Sequence, residues 1–311
     1  MRPIGLALAL LAFTVLDSAA ADRLLVARAP YVLAPYDSLA HPDRFVDRAD
    51  YDSTRADSTI RIERVTYRSD SLTVAAYVAA PSHGPTGKRP GIVFVRGSWT
   101  VRDIGWQLAP MFRRLVRAGF VVIAPLLRGS DGAPGRDEMG GADLADLMCA
   151  PALARELGSI DLRRLYLYGE SRGGMMVLLA LRDRFPACAA ATYGAFTDLE
   201  GMVAADTTHL EPMARMIWPS WPTERAAIAA RRSAQRWPER LRVPLLLMQG
   251  TADRQVPPTQ APALAAAVRA AGGRATARLF DGAGHTLRGH EAARDSLAVA
   301  WFRGAGPCGL P

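Results

Sequence analysis

The segment at residues 165–181 has the sequence LYLYGESRGGMMVLLAL, and it limits the fold that the rest of the chain can adopt. Apolar and aromatic residues lead into Gly169, and an uninterrupted apolar run begins at Met175, so the pattern predicts a buried strand followed by a buried helix. Ser171 lies between them in a G-x-S-x-G motif. Such a junction needs a sharp turn, and Gly169 and Gly173 remove the side chains that would collide there. We therefore expect Ser171 to lie exposed at the N-terminus of the helix, where free N–H groups favour negative charge.

On both sides of this segment, short apolar runs alternate with helical patterns. Residues 104–115 carry apolar side chains at helical spacing, and Gly119 ends that helix. Residues 60–79 predict an antiparallel hairpin. We expect an α/β-hydrolase fold, with a mostly parallel central sheet, helices on both faces and antiparallel strands at the N-terminal edge. The predicted parallel strands are residues 91–95, 121–125, 165–168, 189–193, 245–248 and 277–280.

A serine nucleophile needs a base, and in this fold the base follows the serine and an acid along the chain. His285 fits this order, because residues 277–280 predict the last strand and residues 281–284 form a glycine-containing connection that delivers the histidine to the carboxyl edge of the sheet. We predict that His285 is the general base for Ser171. The remaining histidines precede the serine, or fall in loops or a helix away from the strand ends; they are His41, His83, His209 and His290.

The acid should follow the strand before that one. Asp253 emerges at the tip of the turn after residues 245–248, and we predict that it binds the far nitrogen of His285 and fixes its tautomer. Asp281 is the alternative, although its place just before the histidine also suits a turn residue.

Charge on the carbonyl oxygen of an acyl-transfer intermediate needs two N–H donors. The backbone of Arg172 supplies the first. For the second we favour the backbone of Ser98, with Trp99 as the alternative, since both follow the strand at residues 91–95. The Arg172 side chain has two open roles, pairing with an anionic substrate or facing solvent. This chemistry requires no metal and no organic cofactor.

Between Ile60 and Leu297 the chain resembles the catalytic domain of the prolyl oligopeptidase family of serine hydrolases. The resemblance implies a peptidase or carboxylesterase that forms an acyl-enzyme at Ser171, with Asp253 and His285 as acid and base. The chain is also similar to dienelactone-hydrolase-like proteins, which typically use cysteine where Ser171 stands. The matching stretches are residues 119–125, 128–132, 141–147 and 250–258, in the family's order.

Two departures from that family bear on the substrate. Larger members carry a β-propeller that screens substrates by size, and we expect none here, because only about forty residues lie between the predicted leader and Ile60. Members usually have a histidine-glycine pair at the oxyanion loop, whereas residues 96–99 here are RGSW. We therefore expect a small-molecule ester or a short peptide as substrate and leave the choice between them open.

The formal charge of +8 comes from arginines that are spread along the chain without a block of like charge. That distribution is not typical of a nucleic-acid-binding protein, so we expect no nucleic-acid partner. A non-catalytic binding protein on a hydrolase scaffold is the less favoured alternative, since fold does not determine function. The oligomeric state is left open.

The N-terminus predicts a signal peptide over residues 1–21, because Arg2 is followed by an apolar run at residues 4–15 and small residues near the cut. We expect an exported protein, periplasmic or secreted, with no stable membrane insertion after the leader is removed. Residues 22–59 are predicted to be an extended lead-in, and residues 60–311 the catalytic domain. Residues 197–241 predict either a small cap over the site or an ordinary pair of surface helices.

The three cysteines are too few and too dispersed for a disulfide framework or a zinc site. Export permits one disulfide bridge, and the sequence does not decide whether one forms or between which pair. The three residues are Cys149, Cys188 and Cys308.

Overall fold

The computed structural model describes residues 23–83, 87–99, 102–206 and 208–309. The predicted signal peptide at residues 1–21 lies outside these ranges. The strands of the described residues are β1 (Leu25–Pro30), β2 (Ile60–Ser69), β3 (Leu72–Pro81), β4 (Arg89–Val95), β5 (Val121–Pro125), β6 (Ile160–Glu170), β7 (Ala189–Tyr193), β8 (Leu245–Gly250) and β9 (Ala275–Phe280).

These strands form one sheet in the order β1-β2-β3-β5-β4-β6-β7-β8-β9. The strands β1, β2 and β3 pair antiparallel with one another, as does β3 with β5. All pairs from β5 through β9 are parallel. The predicted fold is thereby confirmed, and the carboxyl ends of β4, β6, β8 and β9 all reach the same edge of the sheet.

Helices cover both faces of the sheet. On β6, Leu165 and Leu167 join the apolar cluster of one face, whereas Tyr166 and Tyr168 join that of the other. Neighbouring residues therefore serve opposite layers, as the period of a strand requires. The helices are α1 (Arg48–Arg55), α2 (Gly105–Arg117), α3 (Leu144–Met148), α4 (Ala150–Leu157), α5 (Arg172–Arg182), α6 (Leu199–Ala205), α7 (Leu210–Ile217), α8 (Trp221–Arg232), α9 (Gln260–Ala270) and α10 (Glu291–Ala305).

The prediction of an extended lead-in over residues 22–59 needs correction, because this stretch contains regular structure. Strand β1 adds to the edge of the sheet beside β2, and helix α1 packs against α2. Strand β1 is exposed after its first residue, so it needs no apolar alternation, and α1 buries only Tyr51 and Thr54. Periodicity reports the burial of apolar side chains, and these two elements bury few.

Cys188 and Cys308 form a disulfide bond, which settles the pairing that the sequence left open. Cys149 is a free, partly buried thiol. The bridge ties the tail that follows α10 to the residue just before β7.

A buried group of charges lies beneath the sheet on the face that α10 covers. The carboxylate of Asp295 pairs with Arg114 at 2.7 Å and with Arg294 at 2.8 Å, and it accepts a hydrogen bond from the hydroxyl of Tyr168 at 2.9 Å. Burial by itself raises the pKa of Asp295, but the two guanidinium groups outweigh burial and hold that pKa below its usual range. The carboxylate therefore stays charged inside the protein.

We expect Asp295→Asn to lower the free energy of unfolding at pH 7 by about 3–5 kcal/mol, because it leaves two largely buried arginines without their shared carboxylate. A depressed folded-state pKa stabilises the fold above the unfolded pKa of about 4, and this contribution is lost as the pH falls through the folded value. The difference between wild type and variant should therefore shrink as the pH falls below about 4 in urea unfolding.

The matched control is Asp37→Asn, which removes an exposed carboxylate from an ion pair with Arg48. Exposed pairs contribute little, so its unfolding curve should follow that of wild type. Equal losses in the two variants would contradict the role given to Asp295.

Candidate active site

Ser171 lies at the junction between β6 and α5 with φ 52° and ψ −123°, a conformation that few residues other than glycine adopt. A Cβ atom at Gly173 would lie 2.1 Å from the carbonyl oxygen of Val95, and one at Gly169 would lie 2.6 Å from that of Gly173. Both glycines of the motif are therefore required by close backbone approach. The turn is held by the N–H of Ser171, which donates to the carbonyl of Tyr193 at 2.8 Å.

His285 lies in the loop between β9 and α10, and it bridges the other two predicted site residues. Its Nε2 is 2.8 Å from Oγ of Ser171, and its Nδ1 is 2.8 Å from Oδ2 of Asp253. The structure thus brings together three side chains that are far apart in sequence. The His285 side chain remains 10% exposed, so the ring can meet a molecule in the adjacent cavity.

Asp253 follows β8 and is held from several directions. Its Oδ1 accepts the N–H groups of Gln255 and Val256 at 2.8 and 2.9 Å, and its Oδ2 accepts Nε2 of Gln249 at 2.6 Å. Burial alone raises the pKa of Asp253, but the hydrogen bonds from His285 and from the two N–H groups keep that pKa below its usual range. The group facing Nδ1 of His285 is therefore a charged acceptor.

Two residues of this acid environment contrast with the sequence-based interpretation. Asp281, the alternative acid, is exposed and accepts a hydrogen bond from the hydroxyl of Thr251 at 3.1 Å. Gln249, which orients Asp253, was not predicted. Gln249 follows four apolar residues in β8. A glutamine in a strand of this kind, where polar residues are seldom buried, is the sequence signal that could have indicated a polar role.

Gly250 controls the position of His285 through a backbone contact. A Cβ atom there would lie 2.1 Å from the carbonyl oxygen of Ala283 and 2.5 Å from that of Gly284. We expect Gly250→Ala to push the His285 loop away and to lower kcat by about 100-fold, since a displacement of about 1 Å has effects of that size. The check is steady-state hydrolysis of a p-nitrophenyl ester.

Gly304→Ala is the matched control for that loop displacement, because a Cβ atom at Gly304 in α10 meets nothing within 4 Å. This variant should keep the wild-type kcat. If Gly250→Ala also keeps it, the loop tolerates the methyl group and the placement of His285 does not depend on this contact.

The two predicted oxyanion donors flank the serine. The N–H of Arg172 lies in the first residue of α5, immediately after Ser171. Ser98 and Trp99 lie just after β4 and line the same cavity as Ser171. Both backbone assignments remain predictions.

The side chain of Arg172 takes neither of the two roles expected for it. It is only 1% exposed and pairs with Asp137 and Asp143 beneath the site. Arginine in a polar-looking motif suggests a surface residue, whereas here two buried carboxylates draw it inward.

A cavity of about 660 Å³ opens beside Ser171 and His285. Part of its lining comes from the loops after the strands. Another part comes from α6 and α7, which belong to the segment interpreted as a cap or a surface pair. The residues that α6 and α7 contribute are largely apolar: Leu199, Met202, Val203, Ala205, Leu210, Met213 and Ala214. A substrate here would place its acyl part against an apolar surface.

The tryptophans divide between this cavity and the core. Trp99 and Trp218 line the cavity. Trp221 is fully buried and stacks on Trp218, and Trp237 lies over the guanidinium of Arg182. Of these four tryptophans, Trp99 and Trp218 therefore face the cavity.

In the four ranges that the structure covers, no three histidine, cysteine or acidic side chains are grouped so that they could hold a metal ion. None of the helices found there has the length and apolar character needed to cross a bilayer.

Comparison with known proteins gives a consistent set of similarities. Residues 106–304 match the profile of the prolyl oligopeptidase family. The uncharacterized peptidase YtmA of Bacillus subtilis is 25% identical over 198 residues, which cover 63% of this chain and 75% of that protein.

Among solved structures, a puromycin-hydrolyzing peptidase of Mycobacterium tuberculosis is 25% identical with a TM-score of 0.63. The match covers 79% of this chain but 40% of the mycobacterial protein, so the chain spans well under two thirds of that relative. A Klebsiella pneumoniae protein described as a dienelactone hydrolase is 19% identical with a TM-score of 0.60, and the match covers 78% of this chain and 98% of that protein. The second likeness shows the fold alone.

Proposed function

We propose that this chain, which belongs to the prolyl oligopeptidase family, is a serine hydrolase that cleaves ester or peptide bonds of small substrates through an acyl-enzyme at Ser171. One observation carries the proposal: Oγ of Ser171, the imidazole of His285 and the carboxylate of Asp253 form a continuous hydrogen-bonded series beside an open cavity.

In the proposed reaction, Oγ of Ser171 attacks the substrate carbonyl carbon while Nε2 of His285 takes the hydroxyl proton. Asp253 accepts the Nδ1–H, which fixes the tautomer and stabilises the imidazolium. When the tetrahedral intermediate collapses, the bond to the leaving group breaks and His285 returns the proton to that group. Water then attacks the acyl-enzyme by the same route, releasing the acid and restoring Ser171.

Both the peptide bond and the ester bond have support as the substrate linkage. The family and the mycobacterial relative, which is named for puromycin hydrolysis, favour amide cleavage. The RGSW sequence at residues 96–99, where family members usually have a histidine-glycine pair, favours a carboxylesterase. The apolar wall formed by α6 and α7 favours an apolar acyl group in either case.

A panel that compares p-nitrophenyl esters of increasing acyl length with aminoacyl p-nitroanilides would separate these substrates. We expect turnover of the short apolar esters and of at least one aminoacyl amide if the peptidase assignment is right. Ester turnover alone would assign the chain as a carboxylesterase.

Covalent labelling tests the enzyme proposal against a binding protein on the same scaffold. A fluorophosphonate should modify wild-type protein at Ser171, as mapped by mass spectrometry of peptides, because His285 activates that hydroxyl. A binding protein with an unactivated serine would remain unlabelled, and that outcome would end the proposal.

The proposal also includes export of the chain. It rests on the leader pattern of residues 1–21 and on the Cys188–Cys308 disulfide, since disulfide bonds persist in oxidising compartments. The N-terminal sequence of the mature protein from its own cells should begin at about Asp22. An intact N-terminus on cytosolic protein would contradict export.

A further inference from the structure

Two arginines lie buried beneath the loop that follows β4. Arg96 and Arg172 are each 1% exposed, and the carboxylates of Asp137 and Asp143 lie beside them. This group places two guanidinium groups and two carboxyl groups inside the protein. Isolated charges are costly to bury, so the hydrogen-bond acceptors of the two guanidinium groups bear on why the fold retains these arginines.

The donors hold the backbone of one short loop. Nη1 of Arg96 donates to the carbonyl oxygens of Gly97 and Ser98, both at 3.0 Å, and Nη1 of Arg172 donates to the carbonyl of Ser98 at 3.3 Å. The indole N–H of Trp99 also points inward, to the carbonyl of Asp137 at 3.0 Å. The loop at residues 97–99 is thus attached to the buried cluster through two successive carbonyls and a side chain.

The geometry of the peptide bond determines where the N–H groups of this loop point, given these contacts of its carbonyls. In a trans peptide the carbonyl of one residue and the N–H of the next point in opposite directions, and the described residues contain no cis peptide. With the carbonyls of Gly97 and Ser98 directed at the arginines, the N–H groups of Ser98 and Trp99 point away from them. In an extended chain, successive carbonyl groups point to opposite sides of the backbone. Ser98 instead has a positive φ of 61°, which accompanies the placement of the Gly97 and Ser98 carbonyls on one side.

Two successive N–H groups on one side of the backbone form a concave anion-binding surface. Ser98 and Trp99 line the cavity that contains Ser171, whereas the Arg96 side chain lies beneath the loop and outside that lining. The N–H groups directed away from Arg96 are therefore placed to face the cavity, which Arg172 also lines. The same contacts orient the N–H groups of Ser98 and Trp99, so both residues stay candidates for the second donor.

We infer that Arg96 and Arg172 are positioning residues that hold the loop at residues 97–99, here called the oxyanion loop. Arg172 contributes to both parts of the oxyanion site. The backbone N–H of Arg172 follows the nucleophile, and its side chain fixes the loop that carries the other donors. The inference rests on the proposed function, since an oxyanion forms only if Ser171 attacks a carbonyl.

The surroundings of the arginines support an orienting role. Nε and Nη2 of Arg96 donate to the carbonyl of Leu126 at 3.2 and 2.9 Å, and Nη2 also donates to the hydroxyl of Ser130 at 2.6 Å. The guanidinium is thereby locked in one plane. Burial, with neighbouring Arg172 adding to it, lowers the pKa of Arg96 to about 9, so the fold retains this charge at a cost. Apolar residues would fill the same space without holding the carbonyls.

The test combines kinetics with a probe of the tetrahedral state. In Arg96→Met we expect kcat on a p-nitrophenyl ester to fall by about 100- to 1,000-fold, as for loss of an oxyanion donor, with KM within about threefold of wild type. Affinity for an arylboronic acid, which forms a tetrahedral adduct with Ser171, should weaken by the same factor as kcat/KM. Arg96→Lys keeps the charge but contacts fewer carbonyls, so it should restore part of both.

Arg114→Met is the matched control, because Arg114 also pairs with two carboxylates, Asp50 and Asp295, but lies on α2 away from the loop. It should lower the melting temperature and keep the wild-type kcat per labelled site. Complete fluorophosphonate titration supplies the number of active sites for every variant.

Arg96→Met with the kcat and boronate affinity of wild type would overturn the inference. If that variant does not fold, Arg96→Lys decides in the same way, since unchanged kcat and boronate affinity in Arg96→Lys also overturn it. An inactive and unlabelled wild-type protein would instead contradict the proposed function, so the two failures are distinct.

Discussion

Ser171→Ala should lower kcat for ester hydrolysis by about 10⁴-fold or more, because no other group can form the acyl-enzyme. The Oγ atom that the variant lacks is the one that lies 2.8 Å from Nε2 of His285. The backbone of the turn is held by the N–H of residue 171 and by close contacts of Gly169 and Gly173, all of which the alanine variant keeps. Its melting temperature should therefore stay near that of wild type.

A control serine variant separates loss of the nucleophile from a general effect of substitution. Ser53 is exposed on α1, and Ser53→Ala should retain full turnover. Wild-type turnover in Ser171→Ala would exclude the acyl-enzyme mechanism. Any activity that remains in Ser171→Ala must also resist fluorophosphonate. Remaining activity that fluorophosphonate inhibits would indicate contamination by active enzyme.

Asp253→Asn should have the second largest effect, a fall in kcat of about 10³- to 10⁴-fold. The asparagine can present an N–H to Nδ1 of His285, which would then become an acceptor. The ring proton would move to Nε2 and face Oγ of Ser171, so the histidine could not take the serine proton. Geometry would be nearly unchanged, and KM should vary little.

Asp281→Asn is the control for this prediction, because Asp281 was the alternative acid in the sequence. Its carboxylate is exposed and bonded to Thr251, so the variant should stay within about threefold of wild type. A large loss in Asp281→Asn with none in Asp253→Asn would reverse the assignment of the acid.

The course of the sheet was predictable because its strands are marked by the pattern of apolar residues. Residues 121–125 and 189–193 were predicted at the bounds that β5 and β7 have in the structure. Strand β6 begins at Ile160, five residues before the predicted start at residue 165. Residues 161–164 include charged, partly exposed side chains, so they lack the apolar pattern of a buried strand. The prediction of an extended lead-in over residues 22–59 was wrong for the same reason, because the exposed edge strand β1 has no pattern of apolar residues.

The candidate site was predictable as far as it depends on strand ends. Ser171, Asp253 and His285 each follow an apolar run, and parallel strands bring their carboxyl ends to one edge, so residues far apart in sequence meet there. Its surroundings were not predictable. Gln249 and the inward course of Arg172 depend on contacts between segments whose separation no local pattern records. The cavity lining from α6 and α7 was predicted only as one of two alternatives for residues 197–241.

The sequence by itself therefore determined the order of strands β2 to β9 along the chain, the turn at Ser171 and the short set of side chains that follow the strand ends. Apolar spacing and glycine placement encode these features locally. Only the tertiary structure decided between Asp253 and Asp281, paired Cys188 with Cys308, and placed Arg172 beneath the oxyanion loop. The physical reason is that a charged or sulfur-containing side chain takes its role from the partner that it meets. That partner is supplied by packing across the sheet, at sequence distances that periodicity does not reach.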